Sequence, residues 1–95
     1  MIEIIERHMV GGTLNEHIAK VKYITSDGKD IKRAARQAMV EWLDTSKSNE
    51  AIVRSTINPS QYSYVGVVHR DNAPDYIRTH ANGNRNDNLL ALPEY

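Results

Sequence analysis

One segment alone carries its apolar residues at the spacing of a helix. Between residues 31 and 44, Ile31, Ala34, Ala35, Ala38, Met39, Trp42 and Leu43 follow the i, i+3, i+4, i+7 pattern, which gathers them into one stripe. Asp30 stands where an N-cap would stand. Trp42, the only tryptophan, falls in that stripe and reads as an anchor between the helix and whatever it covers.

Elsewhere the period is two. Residues 17 to 25 alternate cleanly, with Ala19, Val21 and Tyr23 on one side and Lys20 and Lys22 on the other. Residues 2 to 8 alternate loosely, and residues 51–54, 62–69 and 76–81 read as further strands. Gly11-Gly12-Thr13, Ser26-Asp27-Gly28, Asn58-Pro59-Ser60, residues 70–75 and Asn82-Gly83 supply the turns between them. The order is β-β-α-β-β-β. That predicts an α+β fold: a small, mostly antiparallel sheet with one amphipathic helix packed across one face.

Ninety-five residues without repeats or linkers make a single domain, 1–95, with a thin margin of stability. Nine Ile, seven Val and five Leu suffice for a modest core. The absence of Cys excludes disulfides, a thiolate nucleophile and Cys-ligated zinc. The apolar runs are too short to span a membrane. With acids inside its first apolar stretch, the N-terminus reads as a strand rather than a signal peptide, so a cytoplasmic location is expected.

Formal net charge is zero, which conceals a basic region. Residues 20 to 36 hold six Lys and Arg against Asp27 and Asp30. Within the predicted helix, Lys29, Lys32, Arg33 and Arg36 repeat at i, i+3, i+4 and i+7, on the face away from Trp42. A solvated face explains them, and so does a polyanion site. Cations in a first helical turn oppose the helix dipole, which is the argument for function. Lys20 and Lys22 extend the patch only if their strand face lies near the helix flank. Gly11, Gly12 and Thr13 read as a hairpin turn, with a small anion-binding nest as the alternative.

Four histidines raise the question of a metal. A hairpin with Arg70 facing Asp75 puts His69 opposite Tyr76 and His80 opposite Val65, roughly 13 Å apart. That is too far for a shared ion. His8 and His17 flank the first turn, and two ligands do not make a site. Arg78, Thr79, His80, Asp87 and Asn88 converge near the last turn, where Asp and His could form an acid–base pair. The structural account is stronger: Asp87 and Asn88 fix a turn that delivers Leu89, Leu90 and Leu92 to the core. No nucleotide-binding or hydrolase motif is present. The reading assigns no catalytic residue, cofactor or metal.

The tail Tyr76-Ile77-Arg78-Thr79, Asn82-Gly83 and Asp87-Asn88-Leu89-Leu90-Ala91-Leu92-Pro93, with Gly11-Gly12-Thr13 and Glu16-His17-Ile18, resembles a bacterial family called domain of unknown function 3892. The Asp-Asn-Leu-Leu-Ala-Leu-Pro ending is the most specific element. The family pattern follows an Asp-Gly turn with an aromatic; here Asn82-Gly83 is followed by Asn84-Arg85-Asn86. The resemblance implies a small bacterial domain and brings no activity or catalytic residue. The expected function is a non-catalytic binding module, acting on a protein or as a homo-oligomer through a sheet edge, exposed turns or its tail. The alternative is nucleic-acid or polyanion binding through the basic helix face.

Overall fold

Alternating residues build the first half of the molecule as a three-stranded meander. In the computed structural model, which describes residues 1–25, 27–58, 60–79 and 89–95, β1 (Ile2–Met9) pairs antiparallel with β2 (Ile18–Ile24). The loose alternation of β1 has a local cause. Ile4 faces Tyr23 and Glu6 faces Lys22, so Ile5 is an extra residue in the ladder. Such a bulge reverses the alternation beyond it. Ile4 is therefore buried, while Arg7 shares the face of its partner Val21, and Glu6 and His8 turn to the other side.

The helix is shorter than the apolar spacing predicts. Residues Ile31–Ala35 form β3, antiparallel to β2, and only Arg36–Thr45 form the helix α1. Ile31-Lys32-Arg33-Ala34-Ala35 satisfies either period, and the preceding turn decides between them. The Asp27 carboxylate accepts the Thr25 hydroxyl at 2.6 Å and the Lys29 N–H at 3.0 Å. Gly28 takes a φ of 72°, open to glycine at little cost. The Thr25 N–H then meets the Asp30 carbonyl at 3.0 Å. Asp30 thus closes a hairpin instead of capping a helix.

The second half is β4 (Ala51–Arg54), β5 (Tyr62–Val68) and β6 (Tyr76–Thr79). The sheet order is β3-β2-β1-β4-β5-β6, with β1 and β4 parallel and every other neighbouring pair antiparallel. The α+β architecture, one mostly antiparallel sheet with one helix, is as the sequence predicts, with β3 added.

The helix lays Met39 and Val40 into a core shared with Ile4, Ile18, Val21, Ala51, Val53, Val65, Ile77, Leu89 and Leu92. Trp42 packs against this cluster from the flank, half-buried, beside Ile2, Tyr23 and Ala38. The anchor expected at Trp42 falls instead to Met39 and Val40, the buried residues once the helix starts at Arg36.

The tail resolves as a turn followed by a bridge. Leu89 and Leu92 are buried, and the Leu92 N–H reaches the Leu89 carbonyl at 3.4 Å. Beyond Ile2 and Glu3, β1 has no partner in β4, and residues 93–95 take up that rim. The Arg7 N–H donates to the Pro93 carbonyl and the Tyr95 N–H to the Arg7 carbonyl, each at 3.0 Å. The Arg7 side chain adds bonds to the Leu92 carbonyl and the Glu94 carboxylate, also at 3.0 Å. The tail therefore fills a gap within the sheet. Asn82-Gly83, His80, Asp87 and Asn88 lie outside the described residues.

Candidate functional site

The alternation that fills the core on one side sets out a polar surface on the other. Ladder partners share a face, so the pairs Glu6–Lys22, His8–Lys20, Lys22–Arg33, Ile52–Tyr64, Arg54–Tyr62, Gly66–Arg78 and Val68–Tyr76 all lie opposite α1. Among the described residues no helix covers this face. Tyr62 and Tyr64 are its exposed aromatics, 43% and 45% accessible. Their rings meet edge-on, with centroids 5.8 Å apart. The Arg54 guanidinium lies 5.9 Å from the Tyr62 ring centre.

Electrostatics on the face follow a pairing rule. Lys22 holds Glu6 at 2.6 Å and Arg54 holds Glu3 at 3.0 Å. Lys20, Arg33 and Arg78 add exposed positive charge. The Tyr64 hydroxyl pKa is raised first by the hydrogen bond it donates to Tyr62, then by the charge of the ionised Tyr62 and of Glu50. Five cations thus face three carboxylates. At the far end Tyr95 lies half-buried between His8, with ring centres 5.6 Å apart, and the Lys22 and Arg33 cations at 4.8 and 5.6 Å.

The proposed helical stripe of cations does not exist as a stripe. Lys29 lies in the β2–β3 turn, and Lys32 and Arg33 point to opposite sides of a strand. Arg36 opens the helix, where no side chain caps it and no acid offsets the dipole. Its guanidinium instead donates to the Glu16 carbonyl at 2.5 Å. Lys20 and Lys22 join Arg33 on the open face, away from the helix. The basic residues of 20–36 are thereby divided among four surroundings.

Gly11 has a φ of 81°. A Cβ on Gly12 would come within 2.5 Å of the His17 ring, whose Nδ1 accepts the Leu14 N–H at 3.2 Å. The glycine turn is thus packed by an imidazole. His8 bonds to the Tyr95 carbonyl instead, so His8 and His17 have separate partners. Arg78 stands exposed on β6.

The β5–β6 register is one residue away from the predicted one. Val68 faces Tyr76 and Val65 faces Thr79, which sets His69 against Asp75. Its Nδ1 lies 2.8 Å from the Asp75 carboxylate, and its Nε2 lies 3.4 Å from Asp44 at the end of α1. Asp75 also accepts the Arg70 N–H at 3.0 Å. The Asp75 hydrogen bond first, then the Asp44 charge, raise the His69 pKa above its ordinary value. The Arg70 N–H first, then His69, lower that of Asp75. The donor atoms of Asp44, His69 and Asp75 lie within 4.8 Å of one another, a spacing that could hold a metal ion. What the geometry shows is an imidazole clamped by one exposed carboxylate, Asp44, and one half-buried, Asp75, tying α1 to the hairpin. Sequence reasoning missed this group because the one-residue shift in register hid it.

The model of a family described as a protein of unknown function, DUF3892, matches residues 3–93. The chain belongs to the DUF3892 family. Comparisons with curated proteins and with solved structures gave no match. No described helix of this DUF3892 domain is long and apolar enough to cross a membrane. The DUF3892 match includes the glycine turn, the open sheet face and the buried leucines of the tail.

Proposed function

We propose that this domain is a non-catalytic binding module whose open sheet face holds single-stranded nucleic acid. The observation that carries the reading is the pair Tyr62 and Tyr64, exposed side by side on a face that no described helix covers, among Arg54, Arg78, Arg33 and Lys20. Burial would remove both rings from water, yet the fold leaves nearly half of each in it. Unpaired bases stack on such rings at about 1–3 kcal/mol each, while Lys and Arg track the phosphates. A duplex keeps its bases stacked and offers none to the tyrosines.

Fluorescence anisotropy with labelled oligothymidylate and oligouridylate, beside a duplex of equal length, tests this. Binding should favour the single strands and weaken as salt rises. Replacing both tyrosines (Tyr62→Ala, Tyr64→Ala) should weaken binding at least about tenfold, given the stacking energy per base. Failure of either single strand to bind at low salt would overturn the reading. So would equal affinity in the double variant.

A further inference from the structure

The two edges of the sheet are unequal. At the β6 edge, the Asn15 side chain reaches the Ile77 carbonyl at 3.4 Å, and Arg70 holds Glu16 at 2.7 Å across the same border. The 3-10 turn Asn15–His17 thus shields that rim. Among the described residues the β3 edge has no such cover: Ile31, Lys32, Arg33 and Ala35 are all exposed, Ile31 to 63%.

The phase of the hairpin identifies which main-chain groups face outward. Thr25 bonds Asp30 through its N–H, and antiparallel ladders alternate bonded and non-bonded pairs. Lys32 and Ala34 therefore bond inward to Tyr23 and Val21. Ile31 and Arg33 turn their N–H and C=O groups away from the sheet. Four unpaired backbone groups on an exposed rim form a template for one more strand.

The side chains select what that strand can be. Arg33 projects to the open face and Lys32 to the helix side, so an added strand meets a cation above and below its plane. Lys29 adds a third cation at the turn, where Asp27 is already bound to Thr25 and the Lys29 N–H. A second copy of β3 fits badly. Antiparallel pairing about its centre places Arg33 opposite Arg33, and like charges directly opposite are destabilising. Cations on an edge ordinarily keep identical chains apart; the same charges complement an acidic chain.

We infer that the β3 edge accepts an extended acidic segment of another protein by strand addition, with carboxylates on its two faces meeting Lys32 and Arg33. The contact shares Arg33 with the open-face reading, but Lys32 and the outward main-chain groups of Ile31 belong to the edge alone, separated from Tyr62 and Tyr64 by three strands. The probe is a labelled decapeptide of alternating Glu and Val, with a Lys–Val peptide as its counterpart. Amide spectra of the wild-type domain should shift at Ile31 and Arg33, and exchange of those two amides should slow. Reversal at both cations (Lys32→Glu, Arg33→Glu) should weaken the acidic peptide about tenfold and admit the basic one. Because shifts are read on the unmodified protein, instability of the variant does not spoil the test. No binding of the acidic peptide at low salt would overturn the inference. Shifts centred on Tyr62 and Tyr64 would do the same, as would a dimer of the free domain joined at β3.

Discussion

The two faces of this sheet are made by the same strands and obey opposite rules. On the helix side, Ile4, Val21, Val53, Val65 and Ile77 are buried, and the tail contributes Leu89 and Leu92. On the far side, the same strands present Glu6, Lys22, Arg33, Arg54, Tyr62, Tyr64 and Arg78. The first face is held by removal from water, at about 25 cal/mol per Å² of apolar area. The second carries ion pairs, of which the more exposed, Arg54–Glu3, contributes at most about 1 kcal/mol. Apart from Ile52, which is 3% accessible on the far side, the helix face carries the buried apolar area, which leaves the other open to selection for binding.

The largest expected effect breaks that division at the tail. Removing residues 89–95 exposes the sites of Leu89 and Leu92 and strips β1 of its partner at Arg7. Each buried leucine contributes about 1.5–3 kcal/mol, so together they approach the full margin of a small domain. Calorimetry should show a melting temperature lower by at least about 10 °C, or no cooperative transition. An unchanged melt would show that the core closes without the tail. A smaller loss is expected at Trp42, which flanks the core half-buried. Trp42→Ala should cost about 1–3 kcal/mol, and acrylamide should quench the native fluorescence in part. On the open face, Lys20→Ala and Arg78→Ala should each stay within about 0.5 kcal/mol of the parent in denaturant unfolding.

How far the sequence reveals these faces depends on whether period alone determines them. In residues 18–24 the alternation predicts the strand and both its faces, because burial on one side only leaves no other choice of register. At Ile31–Ala35 it fails, since alanines satisfy a helical and a strand period alike, and the Asp27-Gly28 turn decides. The Tyr62-Ser63-Tyr64 spacing was readable as two rings on one face; that no described helix covers the face was not, since no local pattern tells which side a helix will take. The Arg33–Lys22 neighbourhood depends on β3 and was hidden with it. His69 and Asp75 were visible as residues, but their meeting depends on a register that differs by a single step from the symmetric hairpin.

That meeting gives the smallest expected effect, and the one most dependent on pH. The folded protein raises the His69 pKa through Asp75 and then Asp44, and lowers that of Asp75 through the Arg70 N–H and then His69. A raised histidine pKa means that the folded state holds the proton more tightly than the unfolded chain. Its contribution is complete below about pH 6.5 and disappears as pH rises through the folded value. The lowered Asp75 pKa acts from the other side: its contribution is complete above about pH 3.9 and is lost as pH falls through the folded value. The clamp between α1 and the β5–β6 hairpin is therefore strongest from about pH 4 to about pH 6.5. His69→Asn should lower the melting temperature slightly near pH 5.5 and have less effect near pH 8.5. The His69 proton resonances of the parent should titrate with a midpoint above the ordinary histidine value, and Asp44→Asn should lower that midpoint. A midpoint at or below the ordinary value would show that the carboxylates do not hold the imidazole, leaving α1 and the hairpin joined by the core alone.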